Sequence, residues 1–143
     1  MSDETSDIDL NTHLKGVKNY RGAYLSDKIP NSPGDTNFYV VNMDSGKVSG
    51  THWLSILEFP DKIYYFDPFG FPPNRNVLKW IKSRNKPYLY NSTDVQPINS
   101  TACGKYVKFL IANVAKGNDI NSVISHLAKE GFQKSNKEVE QKF

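Results

Sequence analysis

A single cysteine, Cys103, stands in the stretch Gln96 to Val114, QPINSTACGKYVKFLIANV. Ser100 is a good helix N-cap, because its hydroxyl can accept from the unpaired N–H groups two and three residues on. Cys103 then falls in the first helical turn. There the same N–H groups and the positive end of the helix dipole favour an anion, so a thiolate forms more readily than in a free cysteine. To act as a catalytic nucleophile, a thiolate needs a histidine that takes up its proton and returns it to a leaving group. A further group must orient that histidine, and donors must receive the developing oxyanion. The chain can supply each of these: His52 as the base, Asp67 as its orienter, and Gln96 with the backbone N–H of Cys103 as oxyanion donors. His13 lies near the N-terminal tail and His126 on an expected helix surface, so neither competes for the base.

Two strands must bring His52 and Asp67 together. His52 to Phe59 (HWLSILEF) and Ile63 to Asp67 (IYYFD) are rich in aromatic and branched residues and are separated by Pro60-Asp61-Lys62, which reads as a hairpin. A two-residue loop of Pro60-Asp61, with proline at the position a type I turn favours, sets Phe59 opposite Lys62 and Leu54 opposite Asp67. Side chains alternate with period two, so His52 and Asp67 then share a face, one diagonal step apart. A three-residue loop would put them on opposite faces unless a bulge intervened. Asp67-Pro68-Phe69-Gly70-Phe71-Pro72-Pro73 ends the second strand, since proline cannot continue the ladder.

The cysteine helix must pack on that sheet. Tyr106, Val107, Leu110, Ile111 and Val114 recur at three- and four-residue spacing in phase with Cys103, leaving Lys105, Lys108 and Lys116 on the opposite side. The same phase also fits a core cysteine acting as a small hydrophobe. His52 can likewise be read as a hydrogen-bonded strand histidine, and Asp67 as a turn former before proline.

Elsewhere, Met1 to Leu10 reads as a flexible acidic tail, and a short helix is expected near Asn11 to Asn19. Tyr20 to Gly34 lacks a period and reads as a turn-rich connection. Asn37 to Met43 is a strand, followed by a turn at Asp44-Ser45-Gly46. Asn74 caps a helix to about Arg84, with Val77, Leu78, Trp80 and Ile81 apolar. Lys86 to Asn91 is a fourth strand, and Asp94 to Gln96 a candidate fifth. Asp119 caps a helix from Ile120 to Lys129, with Val123, Ile124 and Leu127 inward and Gly131 after it. Ser135 to Phe143 is polar and reads as disordered.

At 143 residues the chain suits one domain, 1–143, and 38% hydrophobic with 23% charged residues is a globular balance. One cysteine excludes an internal disulfide and, without a tight histidine cluster, speaks against structural zinc. No glycine-rich phosphate loop is present. The N-terminus shows no secretory pattern, and no stretch approaches the roughly 20 apolar residues of a membrane helix. A soluble intracellular protein without membrane partners is expected. The net charge of +3 is unevenly spread: between Asp67 and Asp94 the charged residues are Arg75, Lys79, Lys82, Arg84 and Lys86. Such a face could track DNA phosphates nonspecifically or simply be solvated.

Gly50-Thr51-His52-Trp53, then Tyr65-Phe66-Asp67-Pro68-Phe69-Gly70, then Gln96 and Ser100-Thr101-Ala102-Cys103-Gly104 resemble, in that order, the adenovirus maturation protease (adenain) family, which has relatives in virophages and polinton-type elements. Tyr20-Arg21-Gly22-Ala23-Tyr24 and the strand ending Val40-Val41-Asn42 extend the resemblance over about Tyr20 to Ala115. It implies an α+β fold with a central, mostly antiparallel sheet flanked by helices. It also implies a papain-like site in the permuted order His, acid, Gln, Cys, an order shared with ubiquitin-like-modifier proteases. His52, Asp67 and Cys103 become catalytic, Gln96 and Cys103 form the oxyanion hole, and Gly50 and Trp53 border a narrow substrate cleft. The implied activity is a cysteine endopeptidase that cuts viral capsid and core precursors during virion maturation, at sites with glycine before the scissile bond. The implied location is the infected cell, cytoplasm or nucleus, and the virion.

Two departures from the adenoviral pattern stand out. Adenoviral members attach an activating peptide through a second cysteine, which this chain lacks, so such a peptide would bind noncovalently. The chain is also shorter after the catalytic helix. No cofactor is required by the sequence; DNA and an activating peptide are expected only by resemblance, and a monomer is the expected state. Three other readings stand beside the leading one: a ubiquitin-like-modifier protease, an acyltransferase using the same thiol, and a non-enzymatic basic binding module with Cys103 in its core.

Overall fold

The computed structural model describes residues 12–42, 52–68, 70, 72–91 and 103–129, and for 103–105, 128 and 129 the helical path alone. The acidic tail, Asp44-Ser45-Gly46, Gly50, Asp94 to Gln96, Ser100, Gly131 and Ser135 to Phe143 lie outside these residues. Five strands form one sheet in sequential order, β1 (Tyr20–Leu25), β2 (Asn37–Asn42), β3 (Trp53–Glu58), β4 (Ile63–Phe66) and β5 (Tyr88–Tyr90). Besides a helical turn at 12–14, three longer helices accompany them among the described residues, α1 (Arg75–Ser83), α2 (Cys103–Ala115) and α3 (Ile120–Lys129). The expected α+β class with a central sheet flanked by helices is what forms. The inner ladders β2–β3 and β3–β4 are antiparallel, and a parallel strand extends the sheet at each edge.

Every residue of β2, β3 and β4 is buried, because helices cover both faces of the sheet. Alternation sorts the side chains. Phe38, Val40, Trp53, Leu57, Tyr64 and Phe66 face α2 and α3, meeting Tyr106, Val107, Leu110, Ile111, Ile124 and Leu127. Tyr39, Val41, Leu54, Ile56, Ile63 and Tyr65 face α1, meeting Val77, Trp80 and Ile81. Local signals set the helix starts as expected: Asn74 Oδ1 accepts from Val77 N–H at 2.9 Å, and Asp119 Oδ2 from Ser122 N–H at 3.0 Å.

Three expectations need correction. Tyr20 to Gly34 is not an irregular connection throughout, since β1 pairs in parallel with β2. The register shifts between Tyr20 and Gly22, and Gly22 takes φ 124, a conformation that side chains other than glycine rarely adopt. Of the helix expected near Asn11 to Asn19, the described residues are helical at 12–14 and leave the helix at a turn from 15. Lys108 is not on a solvated face: it is 3% exposed, and its Nζ lies 3.3 Å from His13 Nδ1. Its neighbour Phe109 is buried too, so α2 is enclosed more widely than one apolar stripe would require.

Candidate active site

The hairpin forms in the register that the two-residue loop dictates. Glu58 pairs with Ile63, Leu57 with Tyr64, Ile56 with Tyr65 and Ser55 with Phe66. The loop is closed by Phe59 N–H donating to Lys62 O at 2.8 Å. Continued past the ladder, this register sets Leu54 across from Asp67 and His52 one diagonal step away. The side chains meet: His52 Nε2 lies 3.0 Å from Asp67 Oδ2, with the Asp67 side chain fully buried and that of His52 22% exposed. An ionised carboxylate only accepts, so Nε2 carries the proton of this bond. The other ring nitrogen, Nδ1, is buried and is the one that would exchange a proton with a nucleophile.

Asp67 is held by its backbone as well as by its partner. Its C=O accepts from Gly70 N–H at 2.8 Å, closing the Asp67-to-Gly70 turn, in which Pro68 presets φ at the second position and Gly70 takes φ 78. Asn91, immediately after β5, adds two bonds: Asp67 N–H donates to Asn91 Oδ1 at 2.9 Å, and Asn91 Nδ2 donates to Asp67 O at 2.6 Å. Nearby Tyr65 has its phenol pushed up by burial and further by the negative charge of Asp67, so it stays neutral at physiological pH.

Cys103 is the first residue of α2. The direction of that helix decides which end of the sheet the cysteine occupies. Near its C-terminus, Val114 and Gly117 line one cavity with Phe59 and Lys62, so this end of the helix sits at the β3–β4 turn. The helix packs along β3 and has 13 residues, about 20 Å at 1.5 Å per residue. The run from Phe59 back to His52 covers about 23 Å at ~3.3 Å per residue. Cys103 therefore begins its helix at the same end of the sheet as His52 and Asp67, where an anion is favoured.

The remaining sequence candidates are placed differently. Gln96 and Gly50 lie outside the described residues. Trp53, expected beside a substrate cleft, packs against the core beneath α2 and α3 at 4% exposure. Of the five cations expected on a basic face, Arg75, Lys79 and Lys82 are exposed on α1, but Arg84 and Lys86 turn inward. They meet Glu58, which is fully buried at the end of β3 opposite His52. Arg84 Nε and Nη2 grip its two oxygens at 2.8 and 3.1 Å, Lys86 Nζ approaches at 3.0 Å and Asn37 Nδ2 at 2.9 Å. Burial pushes the Glu58 carboxyl up, but these hydrogen bonds and the Arg84 charge outweigh it and hold the group below its ordinary value. Sequence reasoning missed both Glu58 and Asn91. An acid inside HWLSILEF was a visible signal for the first; nothing local marks the second.

Among the described residues, no group of three or more His, Cys, Asp or Glu could hold a metal ion. No helix among them is long and apolar enough to cross a membrane.

No protein-family model matches the chain, and no curated protein matches it in sequence. Solved structures do match. A crystal structure of the ASFV pS273R protease is 16% identical with a TM-score of 0.64, covering 93% of this chain and 63% of that one. A selenomethionine crystal structure of the same protease is 20% identical with a TM-score of 0.55, covering 76% of this chain and 44% of that one. The SUMO protease Ulp1, with its catalytic cysteine oxidised to a sulfinic acid, aligns at 15% identity over 71% of this chain and 54% of that one, with a TM-score of 0.40. The chain spans about half of the length of the ASFV protease in one alignment and under two thirds in the other. In fold, the chain is similar to the ASFV pS273R protease.

Proposed function

We propose that the chain is a cysteine endopeptidase in which Cys103 is the nucleophile, His52 the acid–base and Asp67 the orienting carboxylate. The observation that supports this most is the 3.0 Å contact between His52 Nε2 and Asp67 Oδ2, at the sheet end where the helix of Cys103 starts. Asp67 keeps the proton on Nε2, so Nδ1 accepts the thiol proton and the thiolate–imidazolium pair is stabilised by the helix N-terminus. The thiolate attacks the peptide carbonyl carbon. The backbone N–H of Cys103 and the side chain of Gln96 receive the oxyanion, and the imidazolium protonates the leaving amine. Water, deprotonated by His52, then releases the acyl group and restores the thiol.

The substrates in this reading are viral structural precursors, with glycine before the cut bond. The fold of a virus protease and the order of His52, Asp67, Gln96 and Cys103 support it. Its place of action is the infected cell and the virion. Activation by DNA or a noncovalent peptide belongs to the same proposal, although the pairing of Arg84 and Lys86 with Glu58 leaves, of that five-residue face, Arg75, Lys79 and Lys82 for phosphates.

Cleavage of a peptide library randomised around a central glycine tests the proposal. Cutting after glycine by the wild type and none by Cys103→Ala is expected; equal cutting by both proteins, or none by either with DNA and basic peptides added, would overturn it. Comparing an extended precursor peptide with a folded modifier fusion separates the viral reading from the modifier-protease one.

A further inference from the structure

We propose that Asn91 is a positioning residue for Asp67, its side-chain amide acting as one more rung of the β4–β5 ladder and fixing the direction in which the Asp67 carboxylate meets His52. This inference rests on the functional reading above for its catalytic consequence, and on geometry alone for its structural one.

The parallel ladder between β4 and β5 runs through Ile63 with Tyr88, Tyr64 with Leu89 and Tyr65 with Tyr90. It stops there, two residues short of Asp67, and β5 is only three residues long. A peptide group opposite Asp67 would have to supply one acceptor and one donor. Asn91 supplies both from a single side chain, accepting from Asp67 N–H at 2.9 Å and donating to Asp67 O at 2.6 Å. A primary amide has the same acceptor and donor groups as a peptide unit. Asn91 is itself 4% exposed, so these bonds are shielded from competing water.

The need for such a device follows from where Asp67 sits. Pro68 follows it and cannot donate to a ladder, and Gly70 N–H binds only its carbonyl. Without Asn91, the Asp67 N–H and C=O would each lose a buried partner. The chain could then rotate about the Asp67 backbone, and with it the carboxylate that lies 3.0 Å from His52 Nε2. Asn91 is thus not a catalytic residue. It acts through Asp67, and Asp67 acts through His52.

The test reads His52 directly, by NMR titration of its ring protons in the Cys103→Ala protein, where no thiolate contributes. Asn91→Ala in that background should lower the His52 midpoint by roughly half a unit to one unit, because the favourable carboxylate contact is loosened. Asn91→Ser keeps one hydroxyl for the Asp67 backbone, should fold even if the alanine variant does not, and should fall between. Asn74→Ala removes a helix cap elsewhere and should leave His52 where it is. An unmoved His52 midpoint in Asn91→Ala or Asn91→Ser would overturn the inference whatever the activity of the protein. With Cys103 present, Asn91→Ala should lower kcat about tenfold with KM little changed; if the wild type cleaves nothing, the functional reading fails while the His52 titration still decides the role of Asn91.

Discussion

Replacing Glu58 by glutamine should destabilise the protein by about 3 kcal/mol at neutral pH, the lower end of what breaking a buried ion pair costs. The magnitude follows from the surroundings. Glu58 is fully buried, accepts from Arg84, Lys86 and Asn37, and among the described residues is the carboxylate that pairs with those two cations. The lower end applies because Arg84 and Lys86 each keep 17% of their side-chain surface in water, and Arg84 stays stacked 5.7 Å from the Trp80 ring centre. For a chain of this size, 3 kcal/mol corresponds to a fall in Tm of about 10 °C. The pH dependence carries a definite sign. The folded-state pKa of Glu58 lies below its unfolded value, so its stabilisation is complete above about pH 4.5 and is lost as pH falls through the folded value. Urea unfolding followed by circular dichroism from pH 7 to pH 3 should therefore show a gap between wild type and Glu58→Gln that narrows only below about pH 4.5. A gap under 1 kcal/mol at pH 7, or one that stays constant down to pH 3, would refute this account of the cluster.

Two further outcomes are expected. Ser55 Oγ is fully buried with no hydrogen-bond partner, so Ser55→Ala should leave stability unchanged or raise it by up to about 1 kcal/mol, read from the same urea curves. Asn74→Ala removes the cap that binds Val77 N–H and should cost about 1 kcal/mol, roughly 3 °C in Tm, without altering the reactivity of Cys103.

What could be read from the residues were the features decided locally. The Pro60-Asp61 loop sets the register between β3 and β4, and through it the meeting of His52 with Asp67, because one face of each strand must meet α1 and a slip by one residue would invert both. Asn74 and Asp119 announce their helices through side chains that cap groups three residues away. The features that escaped depend on distant partners. β1 looks irregular because its second position is Arg21 and its third is Gly22, and only pairing with β2 makes it a strand. Lys108 was expected in water by helical phase, yet its neighbour is His13, 95 positions away. Glu58 draws Arg84 and Lys86 inward, which no count of charges between Asp67 and Asp94 reveals. Asn91 follows an exposed Tyr88-Leu89-Tyr90 edge and looks like any loop asparagine until Asp67 is placed beside it.

The central claim is that Cys103 and His52 form a reactive pair, and the pH dependence of iodoacetamide addition to Cys103 in the folded protein, followed by mass spectrometry, tests it most directly. The wild type should react well below pH 8, and His52→Ala should revert to the profile of an ordinary thiol, with a midpoint near that of a free cysteine, about 8.5. Identical profiles in the two proteins, or a Cys103 that resists alkylation in both, would contradict the claim.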